Sequence, residues 1–222
     1  MSETTASPAR NTVVAAALDL FAQHGFEATS VEQIAQAAGV SRSTFFRQFR
    51  GKDDVVFTDH DELLAHLREF LSGPHDNPWA AVCEASVQVF RHFARDPQLA
   101  RRRYAVVRQV PALRDREIVT VFQYERVFDD YLRGALPGID PVESVAFSAA
   151  VTAVHNHVLR RLLRSDVDVP ATVLADAYDD LMHRFGVHPD GEAAAVDDLV
   201  IAAFPRRMPA AEVARRLKSE LG

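Results

Sequence analysis

The sequence predicts an all-α protein: an N-terminal three-helix helix-turn-helix unit followed by a larger helical body. Three observations predict it. Apolar residues recur at intervals of three and four, as in Val82, Val89, Phe90 and Phe93, rather than alternating. Turn and breaker residues fall a helix length apart: Gly25, Gly39, Ser72–Pro78, Asp96-Pro97, Pro111, Pro137-Gly138, Asp140-Pro141 and Pro170. Polar caps stand just ahead of several apolar runs. With 222 residues, 48% hydrophobic and 25% charged, the chain is long and apolar enough to bury a substantial core.

Taken in order, the first helix opens at Ser7-Pro8, a cap followed by proline in the first turn. It buries Val14, Ala17, Leu18 and Phe21 and stops at Gly25. Ser30 with Gln33 three residues on is a capping box, opening a second helix over Val31, Ile34, Ala35 and Ala38. Gly39 ends that helix where a positive φ is easiest to place. Ser41 caps a third helix with Phe45 and Phe49 inside and Arg42, Ser43, Thr44, Phe46 and Arg47 outside. A fourth runs from Gly51 to Leu71, with Val56, Leu63, Leu67 and Phe70 on one side. Body helices follow at 78–94, 97–109, 112–136, 141–164 and 170–185, then two amphipathic pieces, Glu192–Phe204 and Pro209–Leu221. The expected domains are 1–52, a connector helix 53–71, and 72–222.

Two short helices joined by a glycine turn form a helix-turn-helix, whose second helix enters the DNA major groove. Arg42, Ser43 and Thr44 lie in the first turn of that helix, with Ser41 as its cap, and an arginine there can donate two hydrogen bonds to guanine. Phe46 and Arg47 share the same exposed face, the phenyl ring suited to a thymine methyl. Thr29 and Lys52 flank the unit and are expected to meet phosphates, helped by backbone amides near Ser30 and Gly51.

The net charge of −6 needs reading by segment. Residues 1–52 hold five basic and four acidic groups, and four of the five basic ones (Arg42, Arg47, Arg50, Lys52) lie between 42 and 52. The remainder holds 20 basic and 27 acidic groups. An acidic body behind a locally basic head orients the protein on a polyanion.

The run ALDLFAQHGFEATSVEQIAQAAGV, continued by SRSTFFRQFRGKDDVV, resembles the TetR family of bacterial transcriptional regulators. The likeness covers about residues 10–57 and rests on three consecutive helices with the family's turn residues in place. Phe45-Phe46 stands where the family usually has Leu-Tyr, removing one phosphate-bonding hydroxyl, and Gly51-Lys52 where it often has Ser-Lys. The resemblance implies a homodimeric regulator, most often a repressor, that binds a near-palindromic double-stranded operator and holds a small effector in its body. A ligand-independent DNA-binding protein of the same fold, with a chromosome-organising or scaffolding role, is the alternative.

For the effector, the aromatic and polar residues to test are Phe90, Phe93, Tyr124, Phe128, Phe147 and His155, with Arg108 for an anionic end. A largely apolar, lipid-like ligand is expected. The run Arg101, Arg102, Arg103 and Arg108 could pair with an anionic head group, such as a carboxylate or the phosphate of an acyl-thioester, but reads more simply as a solvated or salt-bridged face. Ala146, Ala149, Ala150 and Ala153 form a small-residue stripe, either packed within the chain or, as the resemblance implies, at the dimer interface.

Catalysis finds no footing. There is no phosphate loop, nucleophile elbow or metal-binding His/Glu motif, so no enzyme activity, metal or cofactor is expected. His155 and His157, two apart, point different ways on a helix. Asp59, His60, Asp61 and Glu62 read as the wet face of the fourth helix. The lone Cys83 allows no internal disulfide. No membrane span or signal-peptide core is seen, and cytoplasmic residence is expected.

Overall fold

The computed structural model describes residues 8–164, 169–187 and 215. Nine helices run through them: α1 (Pro8–His24), α2 (Val31–Ala37), α3 (Arg42–Gln48), α4 (Lys52–Leu71), α5 (Pro78–Ala94), α6 (Pro97–Gln109), α7 (Pro111–Ala135), α8 (Pro141–Arg164) and α9 (Ala171–Arg184). Ser7, the expected segment 192–204 and all of 209–221 but Arg215 lie outside the described residues.

Local chemistry explains the boundaries. Ser30 Oγ accepts from the Gln33 N–H at 3.2 Å, and Gln33 Oε1 accepts from the Ser30 N–H at 2.7 Å, a complete capping box. At the far end of α2, Gly39 takes φ +67°, the Val40 N–H reaches the Ala35 carbonyl, and the Gly39 N–H reaches that of Gln36. That is a Schellman stop, and it sets the angle between α2 and α3. Ser41 Oγ then accepts from the Thr44 N–H at 3.0 Å and starts α3. Asn77 caps α5 and Asp96 caps α6, each ahead of a proline at the first helical position.

The buried apolar residues fall into two clusters. One gathers Val13, Leu18 and Phe21 of α1, Ile34 of α2, Phe45 and Phe49 around α3, and Val55 to Phe57 of α4. It also takes Val106 and Val107 from α6 and Leu113 from α7. The other fills the body from Leu63 to Val187, where α8 packs on α5, α7 and α9. The head therefore closes its core with side chains contributed by the body.

Charged pairs stitch the same seam. Arg116 of α7 donates to Asp53 at 2.8 Å and Asp54 at 3.0 Å in the first turn of α4, with its guanidinium over the Phe57 ring. Arg10 of α1 bonds Glu62 and Thr58 of α4. Arg102 of α6 donates to Asp19 of α1 at 2.6 Å.

The small-residue stripe of α8 is split. Ala146 and Ala153 are exposed, and Ala149 is partly so. Ala150 leans instead on the body core, so it serves packing within the chain. Val142 and Val145 continue the exposed stripe toward the start of α8 at 75% and 49% exposure.

Candidate nucleic-acid interface and interior cavity

The outward face of α3 is built by Phe45 and Phe49. Both are buried, and burying them turns Arg42, Ser43, Phe46 and Arg47 outward. Phe46 is 46% exposed, a large aromatic ring held in water. Arg42 lies over it, 5.5 Å from the ring centroid, and pairs with Glu32 of α2 at 3.1 Å. Both partners of that ion pair are well exposed, so it is worth at most about 1 kcal/mol and yields readily to a stronger anion. The hydroxyls are partly committed: Ser41 Oγ donates to Thr44 Oγ1 at 2.9 Å and lies 2.9 Å from Ser43 Oγ. Ser30 is exposed at the start of α2.

Two flanking residues are placed differently from expectation. Thr29 is buried, and its hydroxyl donates to the Gly25 carbonyl at 2.8 Å, closing the α1–α2 turn instead of facing a phosphate. Lys52 does not reach outward to meet a phosphate. Its ammonium instead donates to the carbonyls of Phe26 at 2.7 Å and of Glu27 and Thr29 at 3.2 Å each, over the Phe26 ring at 4.5 Å. A turn gathers those carbonyls, and a flexible ammonium satisfies three at once. Lys52 thus fastens the start of α4 to the α1–α2 turn.

Behind the head lies a cavity among α4, α5, α6, α7 and α8. The empty space is about 810 Å³ including its mouth, of which about 100 Å³ can hold the centre of a water molecule. Phe93, Tyr124, Phe128 and His155, four of the seven residues expected at the effector site, line it. Phe90 is buried behind the wall, 6.4 Å from the His155 ring. Phe147 packs between Trp79 and Phe185, at 4.7 and 5.1 Å, away from the cavity. Arg108 is exposed and lies over the outer ring of Tyr104. The cation in the wall is Arg103, five residues earlier and so about 140° around the helix.

The three consecutive arginines of α6 reach three different helices. Arg101 Nε donates to the Leu162 carbonyl of α8 at 3.1 Å, Arg102 pairs with Asp19 of α1, and Arg103 Nη2 lies 2.8 Å from Asp59 Oδ2 of α4. Asp59 also meets His92 Nε2 of α5 at 3.3 Å. Burial alone would raise the Asp59 carboxyl, but the His92 hydrogen bond and the Arg103 charge more than offset it and hold it well below the usual carboxylate range.

Asp59 and His60 are therefore not the wet face of α4. His60 lines the cavity, with Nδ1 3.0 Å from the Tyr124 hydroxyl. Burial, helped by the Arg103 charge, pulls it down to about 3, so it is neutral. Burial likewise pulls His155 down to about 4. Its Nδ1 lies 3.0 Å from Ser86 Oγ, which lies 2.6 Å from the Tyr178 hydroxyl. Tyr178 donates to the Val151 carbonyl at 3.1 Å, so Ser86 donates to Tyr178 and accepts from His155 Nδ1–H. His155 Nε2 is then left as an acceptor at the cavity wall. Burial pushes the Cys83 thiol up to about 12, which makes it inert. Among the described residues no group of three His, Cys, Asp or Glu is placed to hold a metal, and no helix is long and apolar enough to cross a membrane.

Comparison with known proteins finds two family descriptions on separate parts of the chain. Residues 13–58 match the family described as "Bacterial regulatory proteins, tetR family", and residues 76–186, half of the chain, match the "MftR C-terminal domain". The transcriptional regulator MftR of Mycobacterium tuberculosis is 33% identical over 99 residues, 44% of this chain and 50% of that protein. The HTH-type transcriptional repressor Rv1474c of the same organism is 25% identical over 114 residues, 46% of this chain and 59% of that one. The chain thus spans about half the length of these curated relatives. Among solved structures, FadR from Bacillus subtilis in complex with stearoyl-CoA superposes with a TM-score of 0.53 at 16% identity, covering 78% of this chain and 96% of FadR, a likeness of fold.

Proposed function

This chain belongs to the TetR family of DNA-binding transcriptional regulators, a family without enzymatic activity, and from that premise we propose that it is a homodimeric repressor released from its operator by a small, largely apolar effector. The head is residues 1–52, the connector 53–71, and the effector-binding and dimerising body 72–222. Arg42, Ser43 and Thr44 read base edges, Phe46 meets a thymine methyl, and Arg47 a phosphate or base. Ser30 and Ser41 act through their positions at helix starts. The exposed stripe Val142, Val145, Ala146, Ala149 and Ala153 of α8, with α9, forms the two-fold interface.

One observation carries the effector half of this reading. The cavity is walled on one side by Phe57 and His60 of α4, the helix whose first residue, Lys52, grips the head. A ligand that fits better when α4 is displaced shifts the population toward the displaced head. The name of Rv1474c as a repressor supports the sign, and the stearoyl-CoA complex of FadR supports a long apolar ligand in this fold.

The test is operator selection from a random DNA pool, footprinting, and release by saturated fatty acids of increasing length. Protection of two half-sites about one helical turn apart is expected. Release should strengthen with each added methylene, by up to about 0.8 kcal/mol, until the cavity fills. A single protected half-site contradicts the dimer, and release independent of chain length contradicts the apolar effector.

A further inference from the structure

Arg103 is a buried cation with much of its bonding capacity unspent. It is 7% exposed and lines the cavity. Its Nε has no hydrogen-bond partner, and its Nη2 touches Asp59 as a charge at 2.8 Å without an aligned hydrogen bond. Nε and Nη2 are the two atoms of one guanidinium edge, the edge that takes a carboxylate with two parallel bonds. A buried donor left unmade is costly, and the group that makes it good gains accordingly. The other ionisable groups facing this point leave Arg103 as the anion-seeking one: His60 and His155 are neutral, and Glu117, in the cavity wall, is itself an acid.

We propose that Arg103 is the receptor for a carboxylate on the effector, and that Asp59 is the carboxylate it displaces. This deepens the reading of the cavity as the effector site and rests on it. Asp59 reaches Arg103 from α4, and Arg103 stands on α6. An effector carboxylate that makes both bonds to the Nε–Nη2 edge takes over the guanidinium and leaves Asp59 with His92 of α5. The tie between α4 and α6 is then cut at the cavity, one helical turn or so from the Phe57 and Arg116 contacts that seat α4 under the head. The chemical class of ligand is accordingly an apolar monocarboxylic acid, with its charged end inward at Arg103 rather than outward at Arg108.

The experiment is calorimetric titration of the full-length protein with decanoate and with 1-decanol, which share an apolar chain and differ in the charged end. The wild type should prefer decanoate by about tenfold or more, the worth of a charge-assisted hydrogen bond. Arg103→Gln should bring the ratio to about one, and Arg103→Lys should restore part of it. Asp59→Asn removes the competitor and loosens α4, so it should tighten decanoate binding by more than it tightens 1-decanol, and weaken operator binding in the absence of ligand. An equal preference in the wild type, or a ratio untouched by Arg103→Gln, overturns the proposal while leaving an apolar effector site standing. Binding of neither probe overturns both. If Arg103→Gln does not fold, as helical circular dichroism will show, Asp59→Asn decides alone: an unchanged preference for decanoate over 1-decanol overturns the assignment.

Discussion

The head and the body solve the same packing problem with opposite treatment of their polar groups. In the head, polar side chains are spent on closing the backbone: Ser30, Gln33, Ser41 and Thr29 satisfy turns and helix ends, and Lys52 gathers three carbonyls. Its core is apolar and built around Phe45 and Phe49. In the body, polar groups stand inside the wall of a cavity, where Ser86, Tyr178 and His155 form a buried chain and Arg103 keeps an unpartnered donor. The head keeps two unpartnered buried atoms of its own, Arg10 Nε and Gln48 Oε1, but neither residue lines the cavity. The open Arg103 donors of the body are the ones a ligand completes on the proposed reading. A reading head gains from one fixed shape, and a sensing body gains from a local deficit that binding relieves.

The comparison breaks most visibly at Phe45. Phe45→Ala should cost about 3–5 kcal/mol, because the ring is fully buried in a small core. Operator binding should vanish while binding of an apolar ligand in the body persists. Loss of both together would show that the damage reaches the cavity through Phe57 and Val107, which belong to the head core and to the cavity wall alike.

A second test uses pH and concerns the body. His60 and His155 fold at about 3 and 4 against an ordinary value of 6.5. Below pH about 6.5 the unfolded chain therefore takes up protons that the folded chain refuses. Stability should be level from there to about pH 8 and fall as the solution is acidified, by up to about 1.4 kcal/mol per unit for each histidine. Asp59, held low by His92 and Arg103, adds its loss only below its ordinary 3.8. Urea titrations at pH 7 and pH 5 should show the drop, and His155→Gln should shrink it. A flat profile would place both rings in water.

The smallest effects separate Lys52 from Arg47. Lys52→Met should destabilise the joint between α4 and the α1–α2 turn by about 1–3 kcal/mol, weakening operator binding with no change in its salt slope. Arg47→Ala should leave the melting temperature unchanged and reduce the salt slope by about one unit if the side chain meets a phosphate. Anisotropy titrations across a salt series distinguish them, and a reduced slope for Lys52→Met would put that ammonium back on the DNA.

How far the molecule was legible in its sequence follows the range of the interactions. The nine helices were readable because their caps and stops, Ser30 with Gln33, Asn77-Pro78, Asp96-Pro97, act within four residues. The exposed face of α3 was readable for the same reason, since Phe45 and Phe49 fix the orientation of their own neighbours. Of the seven residues expected at the effector site, four line the cavity, all of them large rings or a histidine on helices with clear inner faces. Lys52 was misplaced because its partners lie in another segment, up to 26 residues away, whereas Thr29 was misplaced although its partner Gly25 is only four residues back, since nothing in the local pattern marks that hydroxyl as closing the turn. His60 and Asp59 were misassigned because a run of four polar residues looks wet until Arg103, His92 and Tyr124 arrive from three other helices. The choice between Arg108 and Arg103 turned on the phase of α6, which its neighbours set.

The arginine triplet of α6 has a practical consequence for anyone turning this regulator into a biosensor. Each of its three residues reaches a different helix, so the register of α6 is specified from three directions at once. A single-residue insertion or deletion there rotates every downstream side chain by about 100° and misaddresses all three contacts together. Libraries aimed at new ligands should therefore leave α6 untouched and draw their diversity from the facing walls on α7 and α8, such as Val121, Asn156 and Leu159, where a changed side chain alters what fits without scrambling how the signal reaches the DNA.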